Sequence, residues 1–285
     1  MTRTWNSRGL SVVAGVTLAL ASACTQRPVS APPTDAAPAA PELDRSTVRL
    51  SVPSDPTISY AAWFRVGSQD DPKGKEGLTW VTAHLLADGG TRSRSLDEIT
   101  RALYPMAAGY HVTVDREMAT LRGRAHRDTA AAFQSLLVEA YTAPAFTEAD
   151  FQRVRDAALD YLKTTLRYAS DEELGKAALL NFVYAGTRYA HPERGTVEGL
   201  SSITLDDVRA HYQRHFAGDR VVFALGGGFD DATVAALERS RDALPPAAGL
   251  PDAAPPTPRP ITGRQVLLVA KPGADASISF GYPLD

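Results

Sequence analysis

The stretch Gly77-Leu-Thr-Trp-Val-Thr-Ala-His84-Leu-Leu-Ala-Asp-Gly-Gly-Thr91 is the most informative part of this chain of 285 residues. Residues 78–86 form an apolar run that predicts a helix, and Gly89 with Gly90 predicts where that helix ends. One imidazole, His84, lies on this otherwise mostly apolar helix. The stretch therefore predicts a helix that packs against a core and carries a single histidine, His84, as a side chain able to bind zinc.

Strand and helix patterns extend in both directions from this helix. Strands are predicted at 47–52, 58–66, 111–114, 118–123 and 220–225, and further helices at 95–103, 129–141, 148–168, 171–184, 205–216 and 232–244. Ser95 and Glu98 have the spacing of a capping box, and Thr204 is a predicted N-cap. The mix predicts an α+β fold in which helices pack on a mainly antiparallel sheet.

Residues 1–23 are predicted to be a bacterial lipoprotein signal peptide. Arg3 and Arg8 give a basic start, and the apolar run at 10–21 is too short to span a bilayer. Small residues precede Cys24, the only cysteine, so cleavage before Cys24 would leave its thiol to carry lipid. The alternative is an ordinary secretory signal with an incidental cysteine. A single cysteine excludes a disulfide within the chain.

The remaining sequence predicts further boundaries. Residues 24–42 are a Pro/Ala-rich tether, 43–244 a folded domain, and 245–262 a linker whose first sixteen positions hold seven prolines. Residues 263–285 contain predicted strands at 265–270 and 278–282, which are too few to bury a core. They would either join the sheet of the first domain or begin a second, incomplete domain, and we favour the second domain.

Charge and the tether indicate a location and exclude one class of partner. A net charge of −3 implies no bulk attraction to nucleic acid. The residues after Cys24 are Thr25 and Gln26, without the aspartate that marks retention in the inner membrane. We therefore expect a protein of the bacterial cell envelope, lipid-anchored in the outer membrane and facing the periplasm.

Several segments between residues 47 and 230 resemble, in the right order, the pitrilysin/insulinase family, which includes mitochondrial processing peptidases. The matching segments are Trp63-Phe-Arg-Val-Gly-Ser-Gln-Asp-Asp-Pro72, Gly77-Leu78 and Gly89-Gly-Thr91 around the helix, His191-Pro-Glu-Arg194 with Gly199, Ile203-Thr-Leu-Asp-Asp-Val208, and the strand and Gly-x-x-Asp turn at 221–230. The resemblance implies half-domains of helices on a sheet, two of which face each other around a closed chamber, and only one half need carry zinc.

The resemblance also places the family's zinc site in this chain. The family motif is His-x-x-Glu-His on a helix, with two zinc ligands and a general base. Its positions fall at Trp80, Ala83 and His84, and Tyr161 falls at the third ligand, a glutamate on a later helix. Asp160 cannot substitute, because neighbours on a helix point about 100° apart. Catalytic zinc needs three protein ligands, so we expect no zinc cofactor and no catalytic residues here.

The resemblance implies a partner for such a chain. We expect a non-catalytic subunit that pairs with an active pitrilysin-type zinc peptidase and helps form its peptide-binding chamber. Its ligands would be extended peptides, added to an edge of the sheet, and it would contact the membrane through the lipid anchor. Two alternatives remain open, an active zinc metalloendopeptidase with a displaced site and a stand-alone peptide-binding lipoprotein.

Other candidate sites each have a simpler interpretation, which we favour. His84 could bind a metal other than zinc together with Asp88 and Asp160. We expect it instead to be a neutral, hydrogen-bonded histidine of the core. The other candidates are Gly226-Gly-Gly228, a tight turn rather than a phosphate loop; His111, Asp115 and Glu117, a solvated hairpin turn rather than a metal site; and His211 with His215, surface residues rather than zinc ligands.

Overall fold

A mixed sheet forms one layer of the fold in this computed structural model, which describes residues 47–247, 249–251, 253, 256–258, 260–271 and 276–282. The strands are β1 Thr47–Ser51, β2 Thr57–Phe64, β3 Gly109–Val114, β4 Ala119–His126 and β5 Val221–Gly227. Their order is β1-β5-β2-β4-β3, and only β1 and β5 run parallel. The predicted α+β fold with a mainly antiparallel sheet is confirmed. Predictions that fall on 1–46, including Cys24, lie outside the described residues.

Helices form the second layer. They are α1 Leu78–Asp88, α2 Leu96–Leu103, α3 Ala130–Thr142, α4 Glu148–Asp160, α5 Asp171–Val183, α6 Val197–Ser202, α7 Leu205–His215 and α8 Asp231–Arg239. A π-helical segment, Tyr161–Ala169, continues α4. In the described part of the chain, no helix is both long enough and apolar enough to cross a membrane.

The core lies between the sheet and the helices. In β2, Ile58, Tyr60, Ala62 and Phe64 are buried, and the side chains between them point to the opposite face. Their partners include Phe133 of α3, and each fully buried large apolar side chain contributes about 1.5–3 kcal/mol. α1 contacts β3, α4 and α7, so the helix on which the sequence argument rests is at the centre of the domain.

The predicted helix at 148–168 is only partly correct. The α-helical hydrogen-bond pattern ends at Asp160, and Tyr161–Ala169 is a π-helix. Thr164 and Thr165 disfavour the α-helix because their branched side chains crowd the preceding turn, and the Thr164 hydroxyl donates to the Asp160 carboxylate at 3.1 Å. The change of helix type begins at Tyr161. The sequence resemblance predicts that this position matches the third zinc ligand of the pitrilysin/insulinase family.

The predicted strands at 265–270 and 278–282 are wrong for the described residues. Neither segment pairs with another strand, and Val266 and Phe280 are 89% and 90% exposed. A strand needs a hydrogen-bonding neighbour, and the sheet described above ends at β1 and β3 without these segments. Lys271 instead forms an ion pair with Asp171 at the start of α5. The linker and the second domain remain predictions.

The capping box at the start of α2 is confirmed and gives a first testable prediction. Ser95 Oγ accepts the Glu98 backbone N–H at 3.3 Å, and Glu98 Oε2 accepts the Ser95 backbone N–H at 2.8 Å. We expect Ser95→Ala to lower the free energy of unfolding by about 1 kcal/mol in urea denaturation. Ser54→Ala, at an exposed serine in a loop, is the control, with an expected change within about 0.5 kcal/mol. Equal effects of the two substitutions would contradict the cap.

Candidate functional site

The start of α1 is fixed by the half-buried carboxylate of Asp71. Asp71 accepts the backbone N–H groups of Gly77 and Thr79 at 2.6 and 2.7 Å, which satisfies donors that a helix start leaves unpaired. Burial raises the pKa of Asp71 to about 6, against the lowering effect of these hydrogen bonds. Gly77 has φ 107°, and a Cβ there would lie 2.7 Å from the carbonyl oxygen of Arg194. The loop that carries Arg194 is therefore seated directly on the start of α1.

Trp80 and His84, one turn apart on α1, stack on each other. Their ring centroids are 3.6 Å apart, with 21° between the planes. His84 Nδ1 lies 2.9 Å from the Trp80 carbonyl oxygen, which can only accept, so Nδ1 carries the hydrogen. Burial, with a smaller effect from the charge of Arg194, lowers the pKa of His84 to about 4, and the hydrogen bond to Trp80 opposes this lowering. The structure thus places a neutral, hydrogen-bonded histidine beside the core.

Arg194 joins Trp80 to Tyr161. Its Cζ atom lies 3.7 Å from the centroid of the Tyr161 ring and 4.8 Å from that of Trp80, both within cation–π range. Burial lowers the pKa of Arg194, and Tyr161 opposes this effect. We call His84, Trp80, Arg194 and Tyr161 together the Arg194 stack. Three of its four members, Trp80, His84 and Tyr161, are the positions that the sequence resemblance predicts to match zinc ligands of the family.

The side chains of the Arg194 stack do not fit the zinc ion of the active relatives. Only His84 offers one of the usual ligand atoms of zinc, whereas Trp80 has an N–H that only donates and Ala83 has a methyl group that is 0% exposed. A guanidinium also lies over the ring of Tyr161, where a metal cation would meet a like charge. Among the described residues, no three His, Cys, Asp or Glu side chains are grouped so that they could hold a metal ion.

The weaker metal hypothesis, with Asp88 and Asp160 beside His84, gains nothing from the geometry. The Asp160 carboxylate accepts the Thr164 hydroxyl. Burial raises the pKa of Asp88, which Arg153 opposes, and no metal-binding group that includes either aspartate is found among the described residues.

The prediction that His211 and His215 are surface residues is wrong for His211, which is 5% exposed. Its Nε2 lies 2.9 Å from Thr79 Oγ1, and Thr79 donates its hydroxyl to the Gly67 carbonyl at 3.1 Å, so His211 acts as the donor. The His211 and His215 rings are 4.4 Å apart. Burial lowers the pKa of both, to about 4 for His215 and well below its usual value for His211. His211 thus holds α7 against α1.

The hairpin candidates form a turn. Asp115 Oδ1 accepts the backbone N–H groups of Glu117 and Met118, each at 2.7 Å, and the Glu117 carboxylate accepts the hydroxyl of Tyr189. His111 is exposed on β3 and takes no part in this network. These contacts support the turn rather than a metal site.

The glycines at the end of β5 also have a structural role. Gly227 has φ 109°, and a Cβ there would lie 2.1 Å from the Thr57 carbonyl oxygen. At Gly228 a Cβ would lie 2.2 Å from the Asp55 carbonyl oxygen. Close backbone packing therefore accounts for Gly227 and Gly228, whereas Gly226 and Gly227 lie within β5 rather than in the predicted tight turn.

Sequence reasoning missed the role of Arg194. The residue lies in the segment His191-Pro-Glu-Arg194, which was used only as a mark of resemblance. The sequence did contain one indication of this role. Two of the predicted ligand positions carry aromatic rings, and such rings attract a guanidinium. Nothing local in the sequence shows that this arginine reaches them.

Two sequence models of known families match this chain. The model of insulinase, peptidase family M16, matches residues 47–196, and that of the peptidase M16 inactive domain matches residues 202–285. An uncharacterised zinc protease of Streptomyces coelicolor is 23% identical over 246 residues, which cover 83% of this chain and 52% of that protein. A non-peptidase homologue of Helicobacter pylori, YmxG, is 27% identical over 187 residues, which cover 64% and 42%. The chain thus spans about half the length of these relatives.

Solved structures show the same fold. A peptidase M16 inactive domain from Pseudomonas fluorescens superposes with a TM-score of 0.64 at 21% identity, over 70% of this chain and 49% of that one. Pitrilysin gives a TM-score of 0.64 at 13% identity, over 75% and 23%. At these identities, the likeness establishes architecture only.

Proposed function

Since this chain belongs to the insulinase family, peptidase family M16, we propose that it is a non-catalytic member that binds extended peptides and pairs with an active zinc peptidase chain. The family membership and the fold carry the general part of this statement. The lack of catalysis, the peptide ligand, the partner and the envelope location are the proposal.

The observation that carries the proposal is the Arg194 stack. A family site that needs three zinc ligands and a base holds two aromatic rings, a methyl group and one histidine. The rings of Trp80 and Tyr161 are joined by the guanidinium of Arg194, so the replaced positions form one packed cluster. The relative YmxG of Helicobacter pylori is called a non-peptidase homologue, which agrees with this interpretation.

The edge of the sheet supports peptide binding. β3 is the last strand on its side of the described sheet, with β4 as its partner, so its outer backbone groups face away from the sheet. An edge strand can accept an extended peptide as an added strand, through main-chain hydrogen bonds. β3 also contacts α1, which carries Trp80 and His84, so a peptide at this edge would run close to the replaced zinc site.

The open face of the sheet supports a partner. Opposite the helices, Val48, Leu50 and Trp63 are exposed, with Leu50 at 68%. A shallow cavity of about 520 Å³ lies over the same face, between β1 and β3. Contiguous apolar surface of this kind marks an interaction site more often than it remains bare. A second domain or a peptidase chain that covers this face would complete a chamber.

The envelope location rests on the sequence alone. A lipid on Cys24 and the tether at 24–42 would hold the domain away from a membrane, and we propose the outer membrane with the domain in the periplasm. Mass spectrometry of the mature N-terminus tests this, because a diacylglyceryl or triacyl adduct on Cys24 is expected. An unmodified Cys24, or cleavage elsewhere, would favour the ordinary secretory signal.

The full chain provides the main test. We expect the fluorescence anisotropy of labelled extended peptides to rise when the purified protein is added. The peptides should remain uncleaved over many hours, and added zinc should change neither the binding nor the absence of cleavage. His84→Ala should leave the zinc response absent, since a lone histidine is not a zinc site. An active family member with an intact His-x-x-Glu-His motif from the same cell should co-purify with the tagged chain.

The results separate the alternatives. Stoichiometric zinc and peptide cleavage, both lost in His84→Ala, would establish an active peptidase with a displaced site and overturn the non-catalytic proposal. Peptide binding without any peptidase partner would favour a stand-alone binding protein. No binding of any extended peptide would remove the peptide from the proposal.

A further inference from the structure

Arg194 carries a partly buried charge that no acidic side chain among the described residues balances. Burial and the nearby Tyr161 are the influences that act on its ionisation, and no described carboxylate is among them. The adjacent residue, Glu193, is not available, because it forms an ion pair with Arg116. A charge removed from water without a partner is costly. The fold therefore retains a cation with unused capacity to bind an anion.

The way the guanidinium is held leaves its donors free. The rings of Tyr161 and Trp80 contact the face of the guanidinium, at 3.7 and 4.8 Å from Cζ. The N–H groups of a guanidinium point outward in its own plane, so stacking on rings does not consume them. A planar carboxylate is the group that matches this edge, through two parallel hydrogen bonds.

The loop that carries Arg194 is rigid at its base. Gly195 has φ 92°, and a Cβ there would lie 2.1 Å from the Glu76 carbonyl oxygen. The backbone N–H of Thr196 donates to that oxygen at 3.3 Å. Together with the close approach of Arg194 to Gly77, these contacts set the arginine in place before any ligand arrives, which reduces the entropy lost on binding.

We propose that the Arg194 guanidinium is an anion-binding site, at the position where relatives hold zinc, and that its ligand is a carboxylate of a bound peptide. The carboxylate is either the C-terminus of the peptide or an acidic side chain, since both present the same planar group. This inference rests on the proposed peptide-binding function and adds the chemistry of the ligand. A single positive charge would thus hold the peptide at the position where active relatives carry the catalytic metal.

Four peptides of one extended sequence test this. Each carries glutamate or glutamine at one central position and either a free or an amidated C-terminus, so that all four combinations are present. We expect the full chain to bind at least one carboxylate-bearing peptide about tenfold or more tightly than its uncharged counterpart. The pair that shows the difference identifies the source of the carboxylate.

Variants then assign the effect to one residue. Arg194→Met keeps an apolar stem on the rings and should abolish the preference while leaving the affinity for the uncharged peptide within about twofold. Arg194→Lys, which keeps the charge without the planar fork, should retain a weakened preference. Arg155→Met is the matched control, because Arg155 also lies over a ring, that of Phe151, but is hydrogen-bonded to Gln152. Circular dichroism of each variant establishes that it is folded.

The outcomes separate this inference from the function on which it rests. If the wild-type chain binds all four peptides equally, or if folded Arg194→Met keeps the preference, the carboxylate inference is overturned while peptide binding stands. If none of the four peptides binds, the proposed peptide-binding function fails, and this inference fails with it.

Discussion

A variant with Trp80→His, Tyr161→Glu and Arg194→Ala is expected to bind one zinc ion per chain, whereas the first two substitutions alone should bind little. With His84, the new side chains supply the three protein ligands that zinc needs. Arg194 must be removed because its Cζ lies 3.7 Å from the Tyr161 ring, so it would pair with a carboxylate at 161. Unit charges about 4 Å apart interact by about 4 kcal/mol near a protein surface. Zinc per chain, measured by mass spectrometry after dialysis, checks the prediction.

The design omits Ala83 on purpose. The family places its general base there, not a ligand, and the methyl group of Ala83 is 0% exposed, so a glutamate would bury a charge in the core. Adding His84→Ala to the triple variant is the control and should remove the zinc. A folded triple variant without zinc would show that these positions are not equivalent to the ligands of the family. Equal zinc in the double and triple variants would show that Arg194 does not oppose the metal.

Most of the fold follows from patterns that are local in the chain. The alternation in β2 and the capping box at Ser95 depend on neighbours within a few residues, and both are present in the structure. Strand pairing is not local, and the apolar segments at 265–270 and 278–282 have no partner among the described residues. α6 was missed because it is only six residues long and contains Gly199, although Thr196 caps it in the ordinary way.

The candidate site was predictable only where its residues belong to segments that the sequence resemblance covers. The resemblance placed Trp80, His84 and Tyr161 at the replaced ligand positions, and the structure brings all three into one cluster. The residue that joins them, Arg194, comes from a loop far along the chain, and no periodicity or spacing points to it. The burial of His211 was also missed, because an i, i+4 pair of histidines gives no sign of the neighbouring helix that covers one of them.

The histidines of α1 and α7 should make this protein sensitive to acid. Burial lowers the pKa of His84 and His215 to about 4 and holds that of His211 well below its usual value. Below the unfolded pKa of about 6.5, the unfolded chain binds protons that the folded chain does not, so their contribution to stability is complete above that pH and is lost as pH falls. Asp71 acts in the opposite direction, because its raised pKa makes the folded state bind the extra proton between about 4 and 6.

Comparison with a His211→Gln variant isolates one of these contributions. Glutamine can still donate to Thr79 Oγ1 but does not titrate, so Asp71 and the other groups cancel between the two proteins. At about 1.4 kcal/mol per pH unit below 6.5, the wild type should lose about 2 kcal/mol more than the variant between pH 7 and pH 5. Urea denaturation at pH 5, 6, 7 and 8 measures this difference, and His111→Gln, at an exposed histidine, should show none. A difference between wild type and His211→Gln that stays constant with pH would mean that His211 ionises freely in the folded protein, which its 5% exposure and its bond to Thr79 argue against.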